Sequence, residues 1–260
     1  MIEQKLEQTS EQAPWTIQQT FLGIFLTLVP WIFIAFGLST LNSKPTRPVH
    51  LSQQADLTSA VIVFFFSLLV EGAFLVAPFY IANRTVPTSV EHRGAAIMHT
   101  LGFRRFNWVS TFTWILVFFF AFFAINGLYQ YLITVFHLHL QTNDQVILEQ
   151  SKDAPLTTYA TLIASVLVAP ICEETFFRGL VLPGFLRAMP VGVAIVFSAL
   201  LFAVAHADPG SFVVLFVIGL ALAFLRWRTR SIWPGILLHL LNNGTGAVLI
   251  VLVMWGVVRQ

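Results

Sequence analysis

The sequence predicts an all-α polytopic membrane protein, a transmembrane helix bundle of seven or eight spans. Composition is the first observation: of 260 residues, 57% are hydrophobic and only 10% are charged, where soluble domains hold about 25% charged residues. The second is a mean hydropathy of +0.80. The third is run length. The apolar residues fall in stretches near the ~20 residues needed to cross a hydrocarbon core. A net charge of +2 gives no reason to expect a nucleic acid partner, so the basic residues read as topology markers. Cys172 is the single cysteine and has no partner for an internal disulfide.

Residues 1–20 form a polar segment with Glu3, Glu7 and Glu11 against Lys5. No basic start and no small-residue cleavage site is clear, so the first apolar run reads as a retained span. Residues 21–260 read as one transmembrane domain. Its candidate spans are Phe21–Leu41, Ala60–Ile81, Trp108–Phe136, Leu156–Glu174, Val191–His206, Phe212–Leu225 and Ile232–Val258. The last holds Pro234, Gly235, Gly244 and Gly246, so it is one broken helix or two segments.

Lysine and arginine placement sets orientation. With the N-terminus inside, the cytoplasmic side collects Lys5, Arg84, Arg93, Arg104, Arg105, Arg178, Arg187, Arg226, Arg228 and Arg230. The other side holds Lys44, Arg47, Lys152 and, with seven spans, Arg259. The bias places the N-terminus in the cytoplasm and Glu173–Glu174 toward the cytoplasmic end of the fourth span. Asn83–Asn107 reads as a solvated basic loop and His137–Pro155 as an outer polar loop. Trp15, Trp31, Trp108, Trp227, Trp233 and Trp255 lie near span ends, where indoles favour the interface.

The central stretch is Ala169-Pro170-Ile171-Cys172-Glu173-Glu174-Thr175-Phe176-Phe177-Arg178-Gly179. A charge at the bilayer centre costs about 2.5–3.5 kcal/mol on insertion scales, so two adjacent carboxylates need a reason. Glu174 and Arg178 are four apart and share a helix face. Glu173 lies about 100° around and lacks that partner. This predicts one structural carboxylate and one free one; the bland alternative is a pair of interface residues at a helix end. Three other ionisable groups fall in or beside apolar runs. His206 follows Phe202 by one turn, His239 precedes Asn243 by one turn, and Glu71 has no patterned polar neighbour, which favours a packing role. A desolvated carboxylate is a stronger base, and beside a histidine it can take a proton from water. A second histidine with an amide can hold a developing oxyanion. Together these residues suit hydrolysis of an amide by activated water.

These residues resemble the CPBP family of CAAX proteases and bacteriocin-processing enzymes, also called ABI. Glu173-Glu174-x-x-x-Arg178, Phe202-x-x-x-His206 and His239-x-x-x-Asn243 match its three motifs in order within 71 residues. The likeness covers about residues 156–258. It implies an intramembrane glutamic-type protease similar to type II CAAX prenyl endopeptidases. Glu173 is then the general base, His206 its water-activating partner, and His239 with Asn243 the oxyanion pair. Glu174 and Arg178 match structural positions, and Phe202, one turn before His206, is expected to wall its ring. The expected substrate is a membrane-associated protein or peptide, the expected setting the plasma membrane of a prokaryote, and no cofactor is expected, with a catalytic zinc left open.

Rival chemistries are thinly supported. No histidine is followed by glutamate, no Gly-x-Ser-x-Gly occurs, the lysines lie outside the spans, and Asp56, Asp144, Asp153 and Asp208 read as loop residues. Zinc held by Glu173, His206 and His239 and a Cys172 nucleophile stay open. So do a non-catalytic scaffold or immunity protein and a transporter built around Glu71.

Overall fold

A backbone inside hydrocarbon must bond to itself, which turns these apolar runs into helices. The computed structural model describes residues 13–42 and 51–258. Met1–Gln12, Lys44, Arg47 and Arg259 of the topology reading lie outside the described residues. The helices are α1 (Ile17–Asn42), α2 (Gln53–Thr85), α3 (Arg93–Thr100), α4 (Trp108–Val135), α5 (Asn143–Ser151), α6 (Pro155–Leu167), α7 (Ala169–Glu174), a π-helical stretch Thr175–Val181, α8 (Leu182–Ala188), α9 (Val191–Ala205), α10 (Phe212–Thr229) and α11 (Trp233–Met254). No strand occurs among the described residues. Six segments are long and apolar enough to cross a membrane, and α9 is a shorter apolar helix.

Two span predictions change. The fourth span does not stop at Glu174. It continues through the π turn and α8 as one apolar segment, Pro155–Ala188, of 34 residues. Glu173 and Glu174 therefore sit midway along a span and not at its cytoplasmic end. The last span is one unbroken helix, because Pro234 occupies its first turn, where a missing N–H costs nothing. Among the described residues this gives seven apolar segments, not eight.

The basic markers need correction too. Arg178 is 0% exposed and Arg226 is 7% exposed, so both belong to the bundle interior. Removing them leaves the arginine bias in place at the ends carrying Arg84, Arg93, Arg104, Arg105, Arg187, Arg228 and Arg230. Trp15 is likewise interior. Its indole N–H donates to the Leu180 carbonyl at 3.2 Å. The span-end prediction holds for Trp108, Trp227, Trp233 and Trp255, which are all exposed.

The predicted loops are structured. Residues 86–107 contain α3 and fold back on the bundle. The Ile232 N–H donates to the Gly102 carbonyl (2.9 Å) and the Ser231 hydroxyl to the Arg104 carbonyl (2.7 Å). Gly102, at φ 96°, is a position that a side chain would strain. Asp56 is a buried residue of α2 and not a loop residue. It accepts the Leu156 N–H (2.8 Å), the Thr157 N–H (3.0 Å) and the Thr157 hydroxyl (2.7 Å). Ala154, at the N-cap of α6, offers no side-chain cap, so α2 supplies one and locks the two helices.

Helix α9 has 15 residues, about 22 Å at 1.5 Å per residue, short of a ~30 Å core. Its C-terminal loop must therefore be buried in protein. The start of α5 and the α4 helix cover it. The Asn143 N–H donates to Asp208 Oδ2 (3.0 Å) and the Tyr129 hydroxyl to the Gly210 carbonyl (2.8 Å). His206 thus ends a helix inside the bundle, level with Glu173: each lies 16 residues from the Met189–Pro190 turn, one before it and one after.

Candidate active site

Glu174 is fully buried, and its carboxylate is the centre of a closed polar knot. Arg178 NH1 donates to Glu174 Oε1 at 2.8 Å, the i,i+4 pairing expected from spacing. Arg178 NH2 donates to the Gly219 carbonyl at 3.0 Å. The Arg178 carbonyl accepts Arg226 Nε at 3.0 Å. His239 Nδ1 lies 3.4 Å from Glu174 Oε1. That orientation leaves its Nε2 as the nitrogen free to meet a ligand.

Two glycines make this knot possible. A Cβ on Gly235 would stand 2.7 Å from Glu174 Oε2, and one on Gly219 would stand 3.1 Å from the Ala199 Cα. Gly235→Ala is expected to lower stability by about 1–3 kcal/mol through overpacking, read as a lower unfolding temperature in detergent. Nothing in the sequence marked Gly235 beyond its place after Pro234.

Glu173 points elsewhere. Its side chain is 12% exposed, that of His206 is 23% exposed, and Glu173 Oε2 lies 3.7 Å from His206 Nε2. That is too long for a direct hydrogen bond. A water beside the pair can reach both atoms at about 2.8 Å. His206 Nδ1 lies 2.7 Å from the Phe202 carbonyl. A carbonyl only accepts, so Nδ1 carries the proton and Nε2 can accept one.

Phe202 binds the site together. Its ring lies 4.5 Å from the His206 ring and 5.6 Å from the His239 ring. The Arg178 guanidinium carbon sits 4.4 Å from its centroid, within cation–π range. The wall predicted for His206 is therefore shared by both histidines and the arginine. The π-helical stretch following the glutamates carries Phe176, Phe177 and Arg178, all buried. Such turns recur at functional sites.

Asn243 has a different engagement. Its amide donates to the Ser165 carbonyl at 2.9 Å, clamping α11 to α6, and its Oδ1 lies 3.4 Å from Asn242 Nδ2. Only its second N–H is left for an oxyanion. Glu71 gains a neighbour that spacing did not show. Its Oε2 is buried without a hydrogen-bond partner, and it interacts electrostatically with Glu173 across the α2–α7 contact. Only its intramembrane position could have flagged it. Cys172 is free and buried, unlike the accessible thiol that nucleophilic chemistry needs. Among the described residues no three His, Cys, Asp or Glu side chains group as metal ligands.

Residues 155–245 match the family described as Rce1-like, type II CAAX prenyl endopeptidase. The match is confined to this segment, about a third of the chain. The matched segment holds Glu173, Glu174, Arg178, Phe202, His206, His239 and Asn243. Over 101 residues the chain is 33% identical to the Bacillus subtilis (strain 168) protein "Putative membrane peptidase YdiL". That stretch is 39% of this chain and 40% of the relative, so the match spans about two fifths of the relative's length. No solved structure matches the chain. Family and relative both support a membrane peptidase.

Proposed function

We propose that this protein is an intramembrane endopeptidase that hydrolyses peptide bonds of membrane-associated proteins or peptides with a Glu173/His206-activated water. The observation that carries this reading is the 3.7 Å approach of Glu173 Oε2 to His206 Nε2. The pair is partly open, while the Glu174–Arg178 pair beside it is closed. A water between them donates one proton to each acceptor, which turns its lone pairs outward to the scissile carbonyl. Glu173 takes the proton as the water attacks. His239 Nε2 and the spare Asn243 N–H then meet the oxyanion of the tetrahedral intermediate. Glu173 then returns that proton to the leaving amine, and His206 Nε2 accepts a hydrogen bond from the remaining O–H.

The pair lies about 24 Å from the Met189–Pro190 turn at 1.5 Å per residue. Substrate is therefore drawn into the bundle and is not cut at the arginine-bearing surface. With the N-terminus inside, those arginines face the cytoplasm, and the expected setting is a prokaryotic plasma membrane.

Comparing membrane proteomes of wild type and Glu173→Gln tests the reading. Uncut precursors should accumulate in the variant. Identical proteomes, with the phenotype of a deletion absent from the variant, would instead indicate a scaffold or immunity role. A Glu71→Gln defect larger than that of Glu173→Gln would indicate transport. Because the mechanism runs on protein groups alone, purified enzyme treated with a chelator should keep its turnover within about twofold of untreated enzyme. A loss reversed by zinc would overturn this part of the mechanism.

A further inference from the structure

A second site lies on the flank formed by α6 and α11. A cleft of about 530 Å³ runs between these helices, within the size range of ligand pockets. Its walls are apolar, with Leu162, Ile163 and Val166 from α6 facing Ala247, Val248 and Val251 from α11. At the inner end it closes beside Gly244, where a Cβ would stand 3.8 Å from Val166. At the outer end the Trp255 indole N–H donates to the Tyr159 hydroxyl at 3.0 Å.

Tyr159 and Trp255 also line an adjoining recess of about 340 Å³ that contains Ser151 and Lys152. The two spaces therefore adjoin at this aromatic pair and differ in character. The cleft offers no polar partner, whereas the recess offers an ammonium and hydroxyls. Lys152 is exposed and makes no ion pair among the described residues. Nearby Glu149 is in contact with Gln141 (3.4 Å). An indole and a phenol between an apolar slot and a cation mark the level of a bilayer interface.

An occupant must match both parts: a hydrocarbon chain below the aromatic pair and an anion above it. We propose that cleft and recess form one site for an anionic phospholipid of the surrounding bilayer, with one acyl chain between α6 and α11 and the headgroup phosphate at Lys152. The chain gains little by leaving other chains for this cleft, so the ammonium supplies the selectivity. One lysine near a membrane surface corresponds to about fivefold in affinity. The bound lipid would brace the helix pair that the Asn243–Ser165 hydrogen bond joins at the inner end of the cleft.

The test uses the full-length protein in neutral detergent. Native mass spectrometry would follow titration with phosphatidylglycerol and with phosphatidylcholine of the same chains. Wild type should retain phosphatidylglycerol about fivefold more tightly. Lys152→Gln should erase that preference while keeping the residual binding. Ala247→Phe, which fills the cleft, should lose both lipids, with an unfolding temperature in lipid-free detergent equal to wild type. If Ala247→Phe does not fold, Ala247→Leu replaces it. Equal retention of the two lipids by wild type, or undiminished binding with the cleft filled, would overturn the proposal.

Discussion

Glu173→Gln is expected to lower peptidase turnover by about 10²–10⁴-fold and to leave the unfolding temperature where it is. The amide has almost the shape of the carboxylate, so packing around Cys172, Phe176 and Phe202 is kept. What disappears is the group that takes the proton from water. Glu173 does not hold helices together through Oε2: that oxygen has no hydrogen-bond partner and lies 3.7 Å from His206 Nε2. Turnover of a reconstituted substrate, measured beside thermal unfolding of the same preparation, separates the two effects. A variant that is active, or one that is inactive because it is unfolded, would contradict this assignment. His206→Gln should show a similar pattern, since its Nε2 is the second acceptor facing the same space.

Arg178→Met is expected to show the opposite profile, a stability loss of about 3–5 kcal/mol, the usual cost of breaking one half of a buried ion pair. Arg178 is fully buried. Its removal strips Glu174 Oε1 of its 2.8 Å partner and the Gly219 carbonyl of its 3.0 Å donor. A carboxylate is left in the bundle interior with only His239 Nδ1, at 3.4 Å, nearby. Arg178→Lys should recover little, because one ammonium cannot meet Glu174 and Gly219 in a fork geometry. The double variant Glu174→Gln/Arg178→Met should be more stable than Arg178→Met alone, since the stranded charge is gone. Chemical unfolding of the three variants in detergent reads this directly. The two variants are thus expected to separate the roles proposed for Glu173 and for the Glu174–Arg178 pair: one lowers turnover at constant stability, and the other lowers stability.

The division between Glu173 and Glu174 was legible from helical spacing, because an i,i+4 pair is local and survives the change from α7 into the π stretch. The Phe202–His206 contact was legible for the same reason. Asn243 was not: its hydrogen bond to Ser165 joins residues 78 apart, and no spacing rule relates them. Glu71 shows the same limit. It looked isolated along α2, and only the packing of α2 on α7 brings it near Glu173. The fourth span was drawn too short because Glu173, Glu174 and Arg178 read as the end of a hydrophobic run. Burial and mutual pairing let that run continue to Ala188. Asp56 read as a loop residue because capping in trans leaves no mark near position 56.

The sequence by itself determined that this chain crosses a membrane as helices, since hydrocarbon forces the polar backbone to bond within itself and runs of about 20 apolar residues do so as helices. It also determined which acids and imidazoles stand out in those helices. Tertiary structure alone decided their depth, their partners and which of them share a space. Those depend on contacts between residues tens of positions apart, such as Arg178 with Gly219 and Glu173 with His206. Periodicity along one helix carries no information about which neighbouring helix will face it.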